Sequence, residues 1–397
     1  MEKNGDCYYY SDLLFLQALI KNSQVGDNPP PDDLDPEDLG WQNWENGRLV
    51  EFCCSTSTHT ECRMNYELAG NLPSEIGNLT KLRKISLESN NLTGSLPSEI
   101  ENLIKLEELI LSSNKMQGNI PEGIGNMASL QTLALKGNNF SGMLPPEIVR
   151  LKQMEWMYLA SNQFIGNIPE GLGKLEKFKY LNLSNNQFSG QIPSSLGNLE
   201  NLQYLNLAQN QLTGHIPSEL GELNIYRLNL EYNQFTGIIP EALGNLTDLV
   251  HLNLGSNQIR GEIPLSLINL KRMKKLELQN NQLTGELYGI VSREGVLEEL
   301  NLSNNKLTGT LPENLGKRDS LKSINLSFNY LEGDIPRTLL QHENLELLYL
   351  HVNNLEGIIS KEVCERENPI KLLFYSNSFC PPYPECIKYI GKQTCKN

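Results

Sequence analysis

A period of 24 residues constrains what this 397-residue chain can fold into more than any other feature. An asparagine that ends an L-x-L-x-x-N string recurs at this interval, with a single interval of 23 between Asn210 and Asn233. Because so short a repeat cannot bury its own apolar face, neighbouring repeats must stack to form a shared core. The period therefore predicts one elongated stack, where length alone would suggest two or three globular domains. The register asparagines are Asn90, Asn114, Asn138, Asn162, Asn186, Asn210, Asn233, Asn257, Asn281, Asn305, Asn329, Asn353 and Asn377.

Each position of the repeat has a physical role that the residue types suggest. Leu181 and Leu183 alternate with outward-facing residues, as in a short strand that is buried on one face. The register asparagine lies at the turn out of the strand, so its repetition predicts a ladder of amides bonded to backbone groups. In residues 190–193, which read G-Q-I-P, the glycine permits a tight turn and the proline fixes φ. Residues 196–199, which read L-G-N-L, predict a short helical turn that returns the chain to the next strand.

The full pattern, L-x-x-L-x-L-x-x-N-x-L-x-G-x-I-P-x-x-L-G-N-L, resembles the leucine-rich repeat, and its G-x-I-P segment resembles the plant-type, extracellular subclass. The resemblance extends over roughly residues 68–377, although residues 285–288 and the last two repeats lack the proline. It implies an α/β fold: a right-handed solenoid of about 13 repeats, with a parallel sheet on the concave face and short helical turns on the convex side. It also implies one continuous solenoid domain, divided into an N-terminal cysteine cap with a helix (1–66), the repeats (67–377) and a C-terminal cysteine cap (378–397).

The eight cysteines lie at the two ends of the chain and are absent from the interior repeats. An even count, split four and four, predicts two disulfide-stapled caps and therefore an oxidising compartment. Four cysteines allow three pairings at each end, and their spacing alone does not choose among them. No C-x-x-C pair occurs, so we predict no metal site. The cysteines are Cys7, Cys53, Cys54, Cys62, Cys364, Cys380, Cys386 and Cys395.

The front end resembles the cap that precedes plant-type repeats. It combines a helix signature at residues 11–20 with two tryptophans and the vicinal cysteines Cys53 and Cys54. That resemblance implies that Cys7 pairs with Cys53 and that Cys54 pairs with Cys62.

The back end, at residues 377–387, resembles the ending of plant-type repeat proteins from aquatic microbes and protists. There we predict sequential pairing, Cys364 with Cys380 and Cys386 with Cys395. Disulfide caps favour a secreted or cell-surface protein. Residues 1–6 contain no apolar signal core, so we expect a removed signal peptide; a cytosolic chain with reduced thiols is the alternative.

Register arithmetic predicts which residues face away from the core. Residues six, four, two and one before each register asparagine point outwards from the predicted sheet. One column of five successive repeats then contains Trp156, Tyr180, Tyr204, Arg227 and His251, flanked by Tyr158 and Tyr232. Tyrosine, tryptophan and arginine are enriched at binding hot spots, so these seven residues are the predicted partner-binding site. A cross-strand aromatic ladder that only stabilises the sheet is the alternative.

The composition disfavours several classes of function. The formal charge of −14, without a basic cluster, argues against nucleic-acid binding, because phosphate neutralisation needs grouped lysines and arginines. No apolar run reaches about 18 residues, so no membrane-spanning helix is predicted. The five histidines are scattered and no nucleophile stands beside an orienting group, so we predict neither an enzyme nor a bound cofactor.

The remaining class is recognition. We predict an extracellular module that binds a protein or peptide on its concave face. The resemblance supports this, because plant-type repeat proteins include receptor-kinase ectodomains that bind peptides. They also include polygalacturonase-inhibitor-like proteins, so an inhibitor of a secreted polysaccharide-degrading enzyme is one alternative. A structural or adhesive protein of the cell surface or matrix, which self-assembles or binds cell-wall carbohydrate, is the other.

Overall fold

Leucines that alternate with polar residues form short parallel strands, and the recurring turns separate these strands into repeats. The computed structural model describes residues 2–3, 6–56, 62, 64–287, 295–368 and 370–395. The chain forms two compact units, Met1–Leu202 and Gln203–Asn397. Each unit is a solenoid of stacked repeats with few helices, which confirms the predicted α/β fold class. The boundaries predicted for the caps, after residue 66 and before residue 378, stay a prediction.

The first unit begins with two short antiparallel strands, Glu2–Lys3 and Asp6–Cys7, and with the predicted helix, Tyr10–Ser23. An antiparallel pair, Trp41–Glu45 and Arg48–Cys53, then leads into the main sheet of parallel strands. Its remaining strands are Lys84–Ser86, Glu108–Ile110, Thr132–Ala134, Trp156–Tyr158 and Tyr180–Asn182. A second row of strands comprises Ala69–Asn71, Asn91–Thr93, Gln117–Gly118, Asn139–Gly142, Gln163–Asn167 and Gln187–Gly190. The 3-10 turns are Pro36–Asp38, Ser74–Asn78, Ser98–Asn102, Glu122–Asn126, Pro146–Arg150, Glu170–Lys174 and Ser194–Asn198.

The second unit repeats this arrangement and adds one short α-helix, Arg337–Leu340. Its main-sheet strands are Tyr204–Asn206, Arg227–Asn229, His251–Asn253, Lys275–Glu277, Glu299–Asn301, Ser323–Asn325, Leu347–Tyr349 and Lys371–Leu373. The second row comprises Gln211–His215, Gln234–Thr236, Arg260–Glu262, Gln282–Thr284, Glu332–Gly333, Asn354–Ile358 and Ser378–Cys380. The 3-10 turns are Ser218–Glu222, Glu241–Asn245, Leu265–Asn269, Glu313–Lys317 and Lys361–Cys364.

Columns of leucine and phenylalanine form the core. Leu181 and Leu183 are fully buried, as their alternation predicts. In the first unit Phe140, Phe164 and Phe188 stack in successive repeats, with ring centroids 6.4 and 6.0 Å apart. Because each ring covers its neighbour, the repeats are stable only as a stack.

The register asparagines form the predicted ladder of buried amides. The Oδ1 atom of Asn114 accepts a hydrogen bond from the N–H of Leu92 at 2.9 Å. Its Nδ2 atom donates to the carbonyl oxygens of Leu87, Leu111 and Ser112, at 2.9, 3.0 and 3.2 Å. The same arrangement recurs in the second unit. Each amide therefore joins two neighbouring repeats and supplies hydrogen bonds to buried backbone groups of both.

The residue before each register asparagine lies in the left-handed region of backbone conformation. Its φ is 53–57° at every position except that of a glycine, Gly137, where φ is 68°. Serine, asparagine and glutamine occupy most of these positions, since small polar side chains tolerate this conformation best. The exceptions are Tyr232, Phe328 and Val352, which backbone preference does not explain.

The pairing of the front cysteines differs from the pairing that the resemblance implies. Cys53 pairs with Cys62, with Cα atoms 5.4 Å apart, so the predicted Cys7–Cys53 and Cys54–Cys62 bonds are wrong. Consecutive residues of an extended chain point to opposite sides, so only one of two vicinal cysteines can face Cys62. Cys54 instead points into the core as a buried thiol. The side chain of Cys7 lies outside the described residues.

The back cysteines are also paired differently. The disulfides are Cys364–Cys386 and Cys380–Cys395, so the predicted sequential pairing is wrong. The C-terminal tail causes the difference, because it returns alongside the last repeat. Asn377 forms a parallel β-bridge with Gln393, and the carbonyl of Asn377 accepts a hydrogen bond from the N–H of Thr394. This return places residue 395 beside Cys380.

Cys54 is expected to resist alkylation while the protein is folded. Its thiol is fully buried, and burial raises its pKa to about 12, so the reactive thiolate is scarce at about pH 8. The measurement is labelling with iodoacetamide, followed by denaturation, a second isotopically distinct reagent and peptide mass spectrometry. Cys54 should carry the second label, and a sample denatured from the start should carry the first. If Cys54 carries the first label in the folded protein, its thiol is not buried as the structure shows.

Candidate binding face of the main sheet

The seven predicted site residues divide between the two units. Trp156, Tyr158 and Tyr180 lie on the main sheet of the first unit, where Trp156 and Tyr180 are register partners on adjacent strands. In the second unit Tyr204, Arg227 and His251 are register partners on three adjacent strands, and Tyr232 occupies a left-handed turn position. The register arithmetic therefore places the residues correctly within each unit. Their role in binding stays a prediction.

The aromatic cluster, which we define as Trp156, Tyr158 and Tyr180, lies half-buried on the face of the first unit. The rings of Tyr158 and Tyr180 have centroids 4.7 Å apart and are tilted by 37°. The ammonium group of Lys179 lies 5.0 Å from the centroid of Trp156 and also pairs with Glu155 at 2.5 Å. The cluster is thus held in place by its neighbours while part of each ring stays in contact with solvent.

The fold does not require aromatic residues at these positions. The three preceding strands carry polar or aliphatic residues there, in a sheet with the same register. Lysine and serine occupy the two positions on the first of these strands, glutamate and isoleucine on the second, and Thr132 and Ala134 on the third. The aromatic cluster is therefore a local addition to the repeat.

Tyr204 is packed more tightly than the sequence predicts. Its exposed fraction is only 9%, because the guanidinium group of Arg227 lies 5.8 Å from its ring centroid and the ring of Tyr226 is 6.3 Å away. The amide of Asn206 also donates to its hydroxyl at 3.2 Å. Tyr204 is therefore mainly a packing residue of the sheet face and offers little surface to a partner.

Charged side chains continue the face of the second unit. His251 Nε2 hydrogen-bonds the carboxylate of Glu277, and Lys275 pairs with Glu299 at 2.6 Å. The hydrogen bond from His251, aided by the positive charges of Lys275 and Arg227, holds the pKa of Glu277 below its usual value. These charges therefore neutralise one another within the sheet face.

Glu231 is a functional candidate that the sequence analysis did not include in the site. Its carboxylate accepts hydrogen bonds from Asn253 Nδ2 at 3.0 Å and from Gln279 Nε2 at 3.1 Å. Gln279 reaches across the intervening repeat because that repeat carries Gly255, where any Cβ would clash with the amide. Burial, together with the charge of Glu277, raises the pKa of Glu231 above its usual value. The outward register position was its only sequence signal.

A cavity of about 750 Å³ in the second unit contains none of the seven predicted residues. Its lining includes Glu298, whose two carboxylate oxygens pair with Lys274 and Lys322 at 2.8 Å each. These two hydrogen bonds lower the pKa of Glu298 to about 2. The described residues, those of the cavity included, contain no group of three or more His, Cys, Asp or Glu that could hold a metal ion.

Comparison with known families identifies the repeat. One leucine-rich repeat model matches residues 105–164, 152–212 and 224–283, and a second matches 81–103, 296–317 and 320–341. Together they match more than half of the chain. The chain belongs to the leucine-rich repeat family. Neither model describes an enzyme, and no curated protein matches the sequence of this leucine-rich repeat chain at a significant level.

Solved plant structures share the fold of this leucine-rich repeat protein, which confirms the plant-type repeat. PEPR1, in the PEPR1–AtPEP1 crystal structure, is 30% identical with a TM-score of 0.75, over 94% of this chain and 56% of that one. The ectodomain of GASSHO1/SCHENGEN3, a membrane receptor kinase of Arabidopsis thaliana solved with Casparian strip integrity factor 2, is 30% identical with a TM-score of 0.71, over 94% and 50%. The chain therefore spans about half the length of these two structures.

The Arabidopsis receptor kinase HAESA, solved with the peptide hormone IDA and the co-receptor SERK1, is 28% identical with a TM-score of 0.58, over 94% of this chain and 74% of that one. All three similarities cover nearly the whole leucine-rich repeat chain. Within the described residues, no helix has the length and apolar character needed to cross a membrane.

Proposed function

We propose that this protein is an extracellular, non-catalytic recognition module that binds a protein or peptide on the exposed face of its main sheet. The aromatic cluster is the observation that carries the proposal. On the preceding strand, Thr132 and Ala134 occupy the positions that correspond to Trp156 and Tyr158, so the fold does not need aromatic residues there. The three aromatic residues of the cluster are each partly exposed. Large aromatic side chains on a fixed scaffold bind well, because they bury much area at a small cost in conformational entropy.

The plant structures support the same proposal. The HAESA structure contains a peptide hormone, and the other two contain AtPEP1 and Casparian strip integrity factor 2. Described disulfides at both ends of the chain support an oxidising, extracellular location.

Panning a random dodecapeptide display library against the immobilised chain tests the proposal. We expect enriched peptides that bind the parent chain and are released by variants of the sheet face. A glycan array and light scattering, run in parallel, address the adhesive alternative. Binding to polysaccharide alone, or self-association that covers the aromatic cluster, would overturn the proposal.

A further inference from the structure

We infer that the second unit recognises a basic side chain, the arginine or lysine of a bound peptide, through the carboxylate of Glu231 and the exposed ring of Tyr232. The inference rests on the proposed function and adds the chemistry of the ligand. Three features support it: a carboxylate that lacks a cation, amides that hold this carboxylate in place, and an exposed aromatic ring on the next residue of the chain.

Glu231 differs from the other carboxylates of this face because it lacks a cationic partner. Glu277 is bonded to His251 and Glu299 is paired with Lys275, whereas Glu231 forms no ion pair with any described residue. A carboxylate has about four lone-pair sites, and the two amide hydrogen bonds to Glu231 leave room for further donors. A guanidinium or ammonium group supplies both the missing charge and those donors.

The amides orient the carboxylate before any ligand arrives. Asn253 donates from the neighbouring repeat, and Gln279 donates from two repeats away, over the space that Gly255 leaves. The Oε1 atom of Gln279 is buried and has no partner among the described residues, so the bond to Glu231 is the one that orients this amide. Asn253 and Gln279 are therefore positioning residues. Glu231 and Tyr232 are the residues that contact the ligand.

Tyr232 supplies an exposed aromatic surface at the residue that follows Glu231. It follows Glu231 in the chain, its φ is 53° and its exposed fraction is 54%. The left-handed conformation is imposed by the neighbouring repeats, since its N–H donates to the carbonyl of Gly255 at 3.1 Å and its own carbonyl accepts from the N–H of Asn210 at 3.2 Å. A ring on a residue that is more than half exposed, at a position that favours small polar residues, gains little from packing. A cation can lie against this ring while it pairs with the carboxylate.

Two point variants isolate the predicted contacts. Glu231→Gln removes the charge and keeps the size of the side chain. Tyr232→Asn introduces the residue that occupies the same turn position at Asn185, Asn280 and Asn304. The matched control is Glu88→Gln, because Glu88 occupies the same repeat position in the first unit and is also half-buried. Thermal unfolding of each variant checks that the fold is retained.

The experiment uses library dodecapeptides that bind the parent chain more tightly than they bind Glu231→Gln. We expect these peptides to be enriched in arginine and lysine. Replacing the arginine with citrulline should weaken binding to the parent and to Glu88→Gln about tenfold, and binding to Glu231→Gln less than twofold. Tyr232→Asn should weaken binding of the unmodified peptides about fivefold.

The possible failures are distinguishable. Enriched peptides without basic residues, or a citrulline effect of equal size in the parent and Glu231→Gln, would overturn this inference and leave the proposed function standing. A library that yields no bound peptide would overturn the proposed function and the inference together.

Discussion

Replacing Asn114 with alanine is expected to lower the free energy of unfolding by about 3–5 kcal/mol. The side chain is buried and bonds four backbone groups, which belong to its own repeat and to the one before it. Alanine fills none of these roles. It leaves the N–H of Leu92 buried without its partner, at a cost of about 1–3 kcal/mol, and it removes three further hydrogen bonds that contribute about 0.5–1.5 kcal/mol each.

The loss should exceed that of an ordinary polar truncation because the amide and the groups it bonds are enclosed. Asn114 is 8% exposed, and the backbone groups it bonds are equally enclosed by the leucine columns. In a solenoid a repeat is stable mainly through its interfaces, so damage at one interface also weakens the neighbouring repeats. The loss in the free energy of unfolding therefore includes weakened packing between repeats as well as the hydrogen bonds of Asn114 itself.

Guanidinium chloride unfolding, followed by circular dichroism, measures the change. The control is Asn198→Ala, because Asn198 is exposed at the end of a 3-10 turn and its side chain makes no hydrogen bond with a described residue. We expect the control to change the free energy of unfolding by less than about 0.5 kcal/mol. Equal destabilisation by both substitutions would show that the ladder contributes nothing specific.

The period was sufficient to predict the strands, the asparagine ladder and the glycine turns, because these depend on contacts that recur identically at every repeat. Leu181, Asn114 and Gly190 each have the environment that their repeat position implies. Disulfide pairing depends on contacts that occur once. Whether Cys53 or Cys54 faces Cys62 is decided by the direction of the chain as it leaves a strand, which no repeat pattern contains.

In the candidate site, too, the register predicts some properties of the residues and not others. The pairing of Trp156 and His251 with residues on adjacent strands follows from the register, and the structure shows that pairing. The burial of Tyr204 and the isolation of Glu231 do not follow from it, since they depend on which neighbours reach them. The amide of Gln279 bonds Glu231 from 48 residues away, and it does so only because the repeat between them carries a glycine.

The double substitution Trp156→Thr with Tyr158→Ala is expected to weaken binding of sheet-face ligands at least 100-fold. Hot-spot aromatics contribute about 2 kcal/mol or more each, and about 1.4 kcal/mol corresponds to a tenfold change in Kd. The new residues are those of the preceding strand, Thr132 and Ala134, so the sheet can accommodate them. The substitution removes the ring contact of Tyr158 with Tyr180 and the contact of Lys179 with Trp156, each at a cost in stability of about 0.5–1.5 kcal/mol.

The matched control is Glu108→Thr with Ile110→Ala, which places the same two residues at the same two positions on another strand of the same sheet. Dissociation constants for the library peptides, measured by calorimetry, should change less than about threefold in the control, because isolated surface contacts contribute little. The comparison also separates recognition from the aromatic-ladder alternative. If the aromatic variant binds as tightly as the parent but unfolds more readily than the control, the cluster stabilises the sheet and does not bind a partner. Loss of binding with stability close to that of the control means that the rings contact the ligand.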